Sequence, residues 1–483
     1  EGAMIGFALD MLGIRPVWNS RGIVKGLERV EMESGRVRRD VIGTTSGLFR
    51  DLYPNLLEWL DRAVLLALDA SSERIRRDYP VLTPALNGAL ERLGDLSNPG
   101  DEPLAVNRVA AHWVDDARRA LEGGADPADA GVRASLRLFG DAPGGYGAGV
   151  NRLVERSGAW KDRSEVGRAY LHRMGHAYGA GVKGISAHQD LKRALSGVEH
   201  TYLGRASNLY GLIDNNDAFD YLGGLSLAVE TLTGTAPSNH VIEHADPDNP
   251  TMAPLEQALL SELRGRFLNP AWLKPLMDHD YAGARTMGSE FFEYLWGWQV
   301  TNPEIVRGWV WDEVKKVYMD DALDLGLDAF LEKGRNVHVK TNMLAVMLVA
   351  AQKGFWQPNP ETVEELARDF ARLVSEHGLP GSGHTSPDHP VMGFVAQRLD
   401  APARDALQEV LAAARGPEAK QSEPVTTRMA EITPEKPSQP PQERKIAEQR
   451  AAPTLSAPLW GLAALAGLLL LGGLINGGRH ART

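Results

Sequence analysis

Helical periodicity constrains this chain more than any other feature. From about residue 103 to 415 apolar side chains recur at helical spacing, interrupted mainly by glycine-rich turns at 140–149, 179–184 and 378–383. That pattern predicts a predominantly α region over 101–415. Residues 1–100 read differently: Ile14–Trp18 is short and extended, 40–45 is rich in β-formers, and 56–68 returns to helical spacing, as at the end of an α/β domain. Residues 4–11 look like the middle of an amphipathic helix, so the start is expected to be a truncation rather than a targeting segment.

Beyond 415 the periodicity stops. Residues 416–454 scatter prolines among Glu, Lys, Gln and Ser, a composition that cannot bury a core and predicts a disordered linker. Residues 455–475 carry no charge. At about 1.5 Å per residue they are long enough to cross a hydrocarbon layer of roughly 30 Å, which predicts a single carboxy-terminal transmembrane helix and a membrane-anchored protein. A short basic tail, 476–483, follows. Lys436, Arg444, Lys445 and Arg450 before the span balance Arg479 and Arg482 after it, so charge counting does not choose a side of the membrane.

The 483 residues, 43% hydrophobic and 24% charged, suffice for a multi-domain globular body. A net charge of -11 without a basic stripe excludes nucleic acid as a partner. No cysteine is present, so any metal must be held by His, Asp or Glu.

Several motifs bear on chemistry. Gly179 to Gly184 has G-x-G-x-x-G spacing, but the strand–turn–helix context of a dinucleotide site is not expected there. No G-x-x-x-x-G-K-[ST] loop occurs, so ATP hydrolysis would belong to a partner. His172 and His176 are spaced for one face of a helix, without the Glu of a zinc-protease motif. The better metal candidate is the cluster His240, Glu243, His244, Asp246 and Asp248, with imidazole and carboxylate ligands suited to a borderline divalent ion; its alternative is a polar capping loop. Asp214 to Asp217 lacks the Gly and Glu of a calcium loop and reads as a turn with a helix cap. Trp296, Trp298, Trp309, Trp311 and Trp356 offer either a stacking surface for a flat ring or core packing.

Four ordered stretches resemble the large-subunit family of cobaltochelatase and magnesium chelatase, over roughly residues 1–356. They are Asp40-Val41 with Ser46-Gly47-Leu48-Phe49-Arg50-Asp51 and Asn55; the loop Phe139-Gly140 through Pro143-Gly144-Gly145-Tyr146-Gly147-Ala148-Gly149; Arg264, Arg266 and Asn269-Pro270-Ala271-Trp272 with Tyr281-Ala282-Gly283-Ala284; and Trp309 to Val314. Two departures stand out: Ala271 replaces the usual lysine, and the segment before Gly223-Gly224 lacks the family's histidine and several of its carboxylates.

The resemblance implies a multi-domain chelatase large-subunit architecture, a tetrapyrrole substrate, and AAA+ ATPase partner subunits that supply ATP and Mg2+ chemistry. It further implies a nitrogen–metal bond-forming ligase, with Co2+ inserted into hydrogenobyrinic acid a,c-diamide on the route to cobalamin. On that basis Glu243 and His244 are expected as catalytic proton acceptors, and His240, His244 and Asp246 as metal ligands. Arg50, Arg264 and Arg266 are expected to bind ring carboxylates, with Tyr146 and Trp272 against the ring face. The expected membrane tail is similar instead to tethered relatives that remove metal from haem, which leaves a dechelatase or a haem- or corrinoid-handling protein as the alternative.

Overall fold

The computed structural model describes residues 2–415 apart from 33, 34, 208, 209 and 382. The expected linker, membrane span and basic tail lie outside the described residues. Among the described residues, no helix is long and apolar enough to cross a membrane.

The described residues fall in one compact unit containing two main hydrophobic cores. The first gathers buried residues from Leu9 to Ala134 around helix α3 (Pro54–Asp69), after α1 (Gly2–Leu12) and α2 (Gly47–Leu52). The helices Arg108–Glu122 and Pro127–Ala134 pack on this core. The second core runs from Leu136 to Leu411 and is centred on the helix Asn336–Gln352, apolar on every side and buried throughout its middle, as expected for a core helix.

The body is mostly helical, and three small sheets interrupt it. β1 (Ile14–Trp18) and β2 (Val24–Arg29) form an antiparallel pair. β3 (Gly43–Thr45), β4 (Leu138–Gly140), β5 (His176–Gly179) and β6 (Val182–Ser186) form a four-stranded sheet, parallel only between β3 and β4. β7 (His200–Arg205), β8 (Ser238–Glu243) and β9 (Thr251–Pro254) form the third sheet, with β7 parallel to β8.

These strands locate two of the motifs and correct the reading of the second. The G-x-G-x-x-G segment runs from the end of β5 through the hairpin turn into β6, strand–turn–strand rather than strand–turn–helix, with Gly181 at φ 72 and Gly184 at φ 72. His172 and His176 do not share a helix: the helix Arg163–Arg173 ends before Gly175, and His176 begins β5.

The carboxy-terminal helices lock onto the second core through a buried polar turn. His384 is fully buried, its Nε2 donating to the Val154 carbonyl at 3.1 Å and its Nδ1 3.1 Å from the Glu293 carboxylate. His389 accepts the Val391 N–H on Nδ1 at 3.1 Å, which leaves its Nε2–H for Ser157 Oγ, also at 3.1 Å. Burial, then the neighbouring His384 and Lys353, push the His389 imidazole down to about 4. The unfolded chain, titrating near ~6.5, therefore takes up a proton that the folded chain refuses. Stability is full above that value and falls as the pH drops toward 4, by up to about 3 kcal/mol from this group. His389→Asn, whose side-chain oxygen can still accept the Val391 N–H, is expected to flatten that decline in denaturant unfolding at pH 7.5 and 4.5. An unchanged decline would assign it to other groups.

Candidate functional site

The first two family-like motifs meet in space. Ser46 caps α2 by accepting the Phe49 N–H at 3.2 Å, and this start aims Arg50 at the loop after β4. Arg50 is buried and donates to the Asp141 carboxylate at 2.6 Å and to the Ala142 and Gly145 carbonyls at 3.1 and 3.2 Å. Tyr146 returns the contact, donating to Asp51 at 2.7 Å. Asp51 and the buried Asp141 raise the Arg50 guanidinium further above its already high range.

Three more side chains hold this loop. Asp220, on a π-helical turn (Phe219–Gly223), is buried and accepts the N–H groups of Ala148, Val150 and Asn151 at 2.7, 2.7 and 2.9 Å. Burial pushes its carboxyl above the usual range, and the three donors act in the opposite direction. Arg173 donates to the carbonyls of Gly147 and Tyr146, and Tyr178 to that of Asp141. Gly144, Gly147 and Gly149 all have positive φ, which is why the loop is written in glycine.

The third motif braces a neighbouring segment. Arg266 ion-pairs with Glu262 at 2.9 Å and with Asp214, while Glu262 accepts the Leu212 N–H at 2.7 Å. The guanidinium lies 5.5 Å from the Trp272 ring centroid, and Trp272 packs on Phe267. Asn269 caps the helix Pro270–Met277. Together these fix residues 211–214. The next residue, Asn215, caps a turn of helix and leads to Asp217, in agreement with the turn-and-cap reading.

Ser46 and Phe49 at the start of α2, and Gly211 and Leu212 of the second braced segment, line a cleft of about 1760 Å3. One wall is apolar, with Met4, Phe7 and Met11 of α1 facing Tyr202 and Leu203 of β7, and Phe49, Leu57, Tyr221 and Leu225 deeper in. Arg39, Arg108 and Lys192 also line it, and among the described residues none of the three makes an ion pair, whereas Arg137 is committed to Asp40 at 2.8 Å; Asp115 and Glu199 bring negative charge to the same cleft. Asp217, an exposed residue, lines the cleft with no hydrogen-bond partner described for its carboxylate, and partial desolvation there raises that group above the usual range.

Of the catalytic, ring-binding and metal-binding residues expected from the sequence, only His244 lines this cleft. Glu243 ion-pairs with Arg205 at 2.8 Å. Asp246 closes a local turn by accepting the Asp248 N–H at 3.1 Å. Among the described residues, no three His, Asp or Glu side chains converge as a metal site, so His240, His244 and Asp246 are not assembled into one. Arg50 and Arg266 are spent on internal pairs and work as braces. Tyr146 is exposed but bound to Asp51, and Arg264 lies over Trp309 at 5.8 Å. Trp296, Trp298, Trp311 and Trp356 are core residues. Sequence reasoning missed the cleft cations and Asp217 as a cleft residue, because α1, the 39–46 segment and β7 are brought together only by tertiary packing.

The described residues thus form a helical body with one large cleft whose wall is partly apolar, next to the segments that the family-like motifs brace. The chain belongs to the CobN/magnesium chelatase family, whose model matches residues 1–363. It is 29% identical over 378 residues to the aerobic cobaltochelatase subunit CobN of Pseudomonas aeruginosa, covering 76% of this chain and 27% of that protein. It is 30% identical over 368 residues to the magnesium-chelatase H subunit of Cereibacter sphaeroides, covering 76% of this chain and 27% of that protein. The catalytic subunit of cobaltochelatase from Mycobacterium tuberculosis superposes with a TM-score of 0.65 at 29% identity, over 76% of this chain and 28% of that one. The chain thus spans about a quarter of the length of the relatives it matches.

Proposed function

We propose that this chain is the part of a metal chelatase large subunit that holds the tetrapyrrole, and that the reaction is insertion of Co2+ into a corrin precursor, hydrogenobyrinic acid a,c-diamide. The observation that carries the reading is the cleft. At about 1760 Å3 it exceeds the space taken by most small ligands and pairs an apolar wall with Arg39, Arg108 and Lys192, the combination that a flat ring with anionic side chains requires. On this reading ATP hydrolysis belongs to AAA+ partner subunits, as the family resemblance implies.

Insertion into a corrin forms four nitrogen–metal bonds and releases the single inner N–H proton of the ring. Asp217, open to the cleft, is suited to accept it, and His244, which also lines the cleft, is the second candidate. Glu243, tied to Arg205, steadies the β7–β8 edge from which His244 extends.

The test is to incubate the full chain with AAA+ partners, ATP, Co2+ and metal-free corrinoid, and to follow the absorption spectrum. A cobalt-corrinoid spectrum that forms only with ATP is the expected result. Magnesium insertion into a porphyrin would move the assignment to the other branch of the family, and ATP-independent loss of metal from haem would favour the dechelatase. No change on any ring would overturn the reading.

A further inference from the structure

We infer that His200 and His240 form a two-imidazole site for a borderline divalent cation at the edge of the cleft. His200 Nδ1 and His240 Nε2 share a hydrogen bond of 3.2 Å across the parallel β7–β8 pair, the contact whose proton a cation would replace. Two imidazole nitrogens bound to one tetrahedral ion at 2.0–2.1 Å are separated by about 3.3 Å, so both rings already sit close to a ligand spacing. The register explains it: His240 stands opposite Tyr202, which places His200 diagonally across on the same face of the sheet. Tyr202 stacks on the His240 ring at 5.2 Å and 20°, restricting its rotation. The outer nitrogens, His200 Nε2 and His240 Nδ1, have no described partner.

Two protein ligands leave the remaining positions to water, so the ion is held but exchangeable, and imidazole donors select Co2+, Ni2+ or Zn2+ over Mg2+. His244 follows the end of β8, four residues and about 13 Å of extended chain from His240, outside the same coordination sphere. His200 lines the cleft itself. On the chelatase reading, the pair is where the metal docks before it reaches the ring; the binding itself does not depend on that reading.

The probe is Co2+ alone, titrated calorimetrically into the full chain without any tetrapyrrole. One ion per chain is expected, with affinity falling at least about tenfold in His200→Ala and in His240→Ala. The double variant His172→Ala/His188→Ala is the control, because those rings form a separate cluster 5.4 Å apart; it is expected to bind like wild type. His200 is exposed, so its removal leaves the fold intact. No binding by the wild type, wild-type affinity in a His200→Ala/His240→Ala variant, or a loss that follows His172 and His188 would each overturn the site. Since no ring is present, such a failure leaves the tetrapyrrole reading standing, and failure on every ring leaves this site standing.

Discussion

Asp220→Ala is expected to destabilise the protein by about 3–5 kcal/mol, measured as a lower denaturant midpoint at unchanged slope. One buried carboxylate satisfies three N–H groups at the end of the glycine loop, and alanine leaves the buried Ala148 and Val150 donors without an acceptor. Asp220→Asn is expected to cost less, since one amide oxygen can still accept two of the bonds while its NH2 opposes the third donor. Equal stability of all three proteins would show that the loop is held by Arg50, Arg173 and Tyr178 without help from Asp220. The position lies on a π-helical turn, a local irregularity that re-aims a side chain at some cost in regular hydrogen bonding.

Reversing the charge of Arg39, Arg108 and Lys192 together is expected to weaken tetrapyrrole binding about 10- to 100-fold, or about 1.4–2.8 kcal/mol. The three side chains line one cleft and make no ion pair among the described residues, so replacing them with Glu removes no intrachain salt bridge. Each exposed pair with a ring carboxylate contributes little in water, and their sum sets the effect. The apolar wall is untouched, so residual binding through ring burial is expected to remain.

The parts of the fold that were legible in the sequence are those whose pattern is local. α3 shows as apolar spacing, the glycine loop as a run of residues able to adopt positive φ, and the Asp214–Asp217 turn as an Asx cap. β4 to β9 were not legible, since strands of 3–6 residues between longer helices leave too few alternations to set a period. The family motifs were visible, and the structure changes what two of their arginines do. Arg50 and Arg266 look like free anion clamps in one dimension, but each faces carboxylates from the chain itself. His240 was visible as a candidate ligand, while its neighbour His200 lies forty residues away and is joined to it only by strand pairing.

The claim that this cleft holds the tetrapyrrole is tested most directly by titrating a metal-free, carboxylate-bearing ring into the full chain and following the shift of its main absorption band. The wild type and the Arg39→Glu/Arg108→Glu/Lys192→Glu variant are compared at one ionic strength. A saturable shift in the wild type, with the midpoint displaced about 10- to 100-fold in the variant, is the predicted result. No saturable shift in the wild type, or equal midpoints in the two proteins, would contradict it.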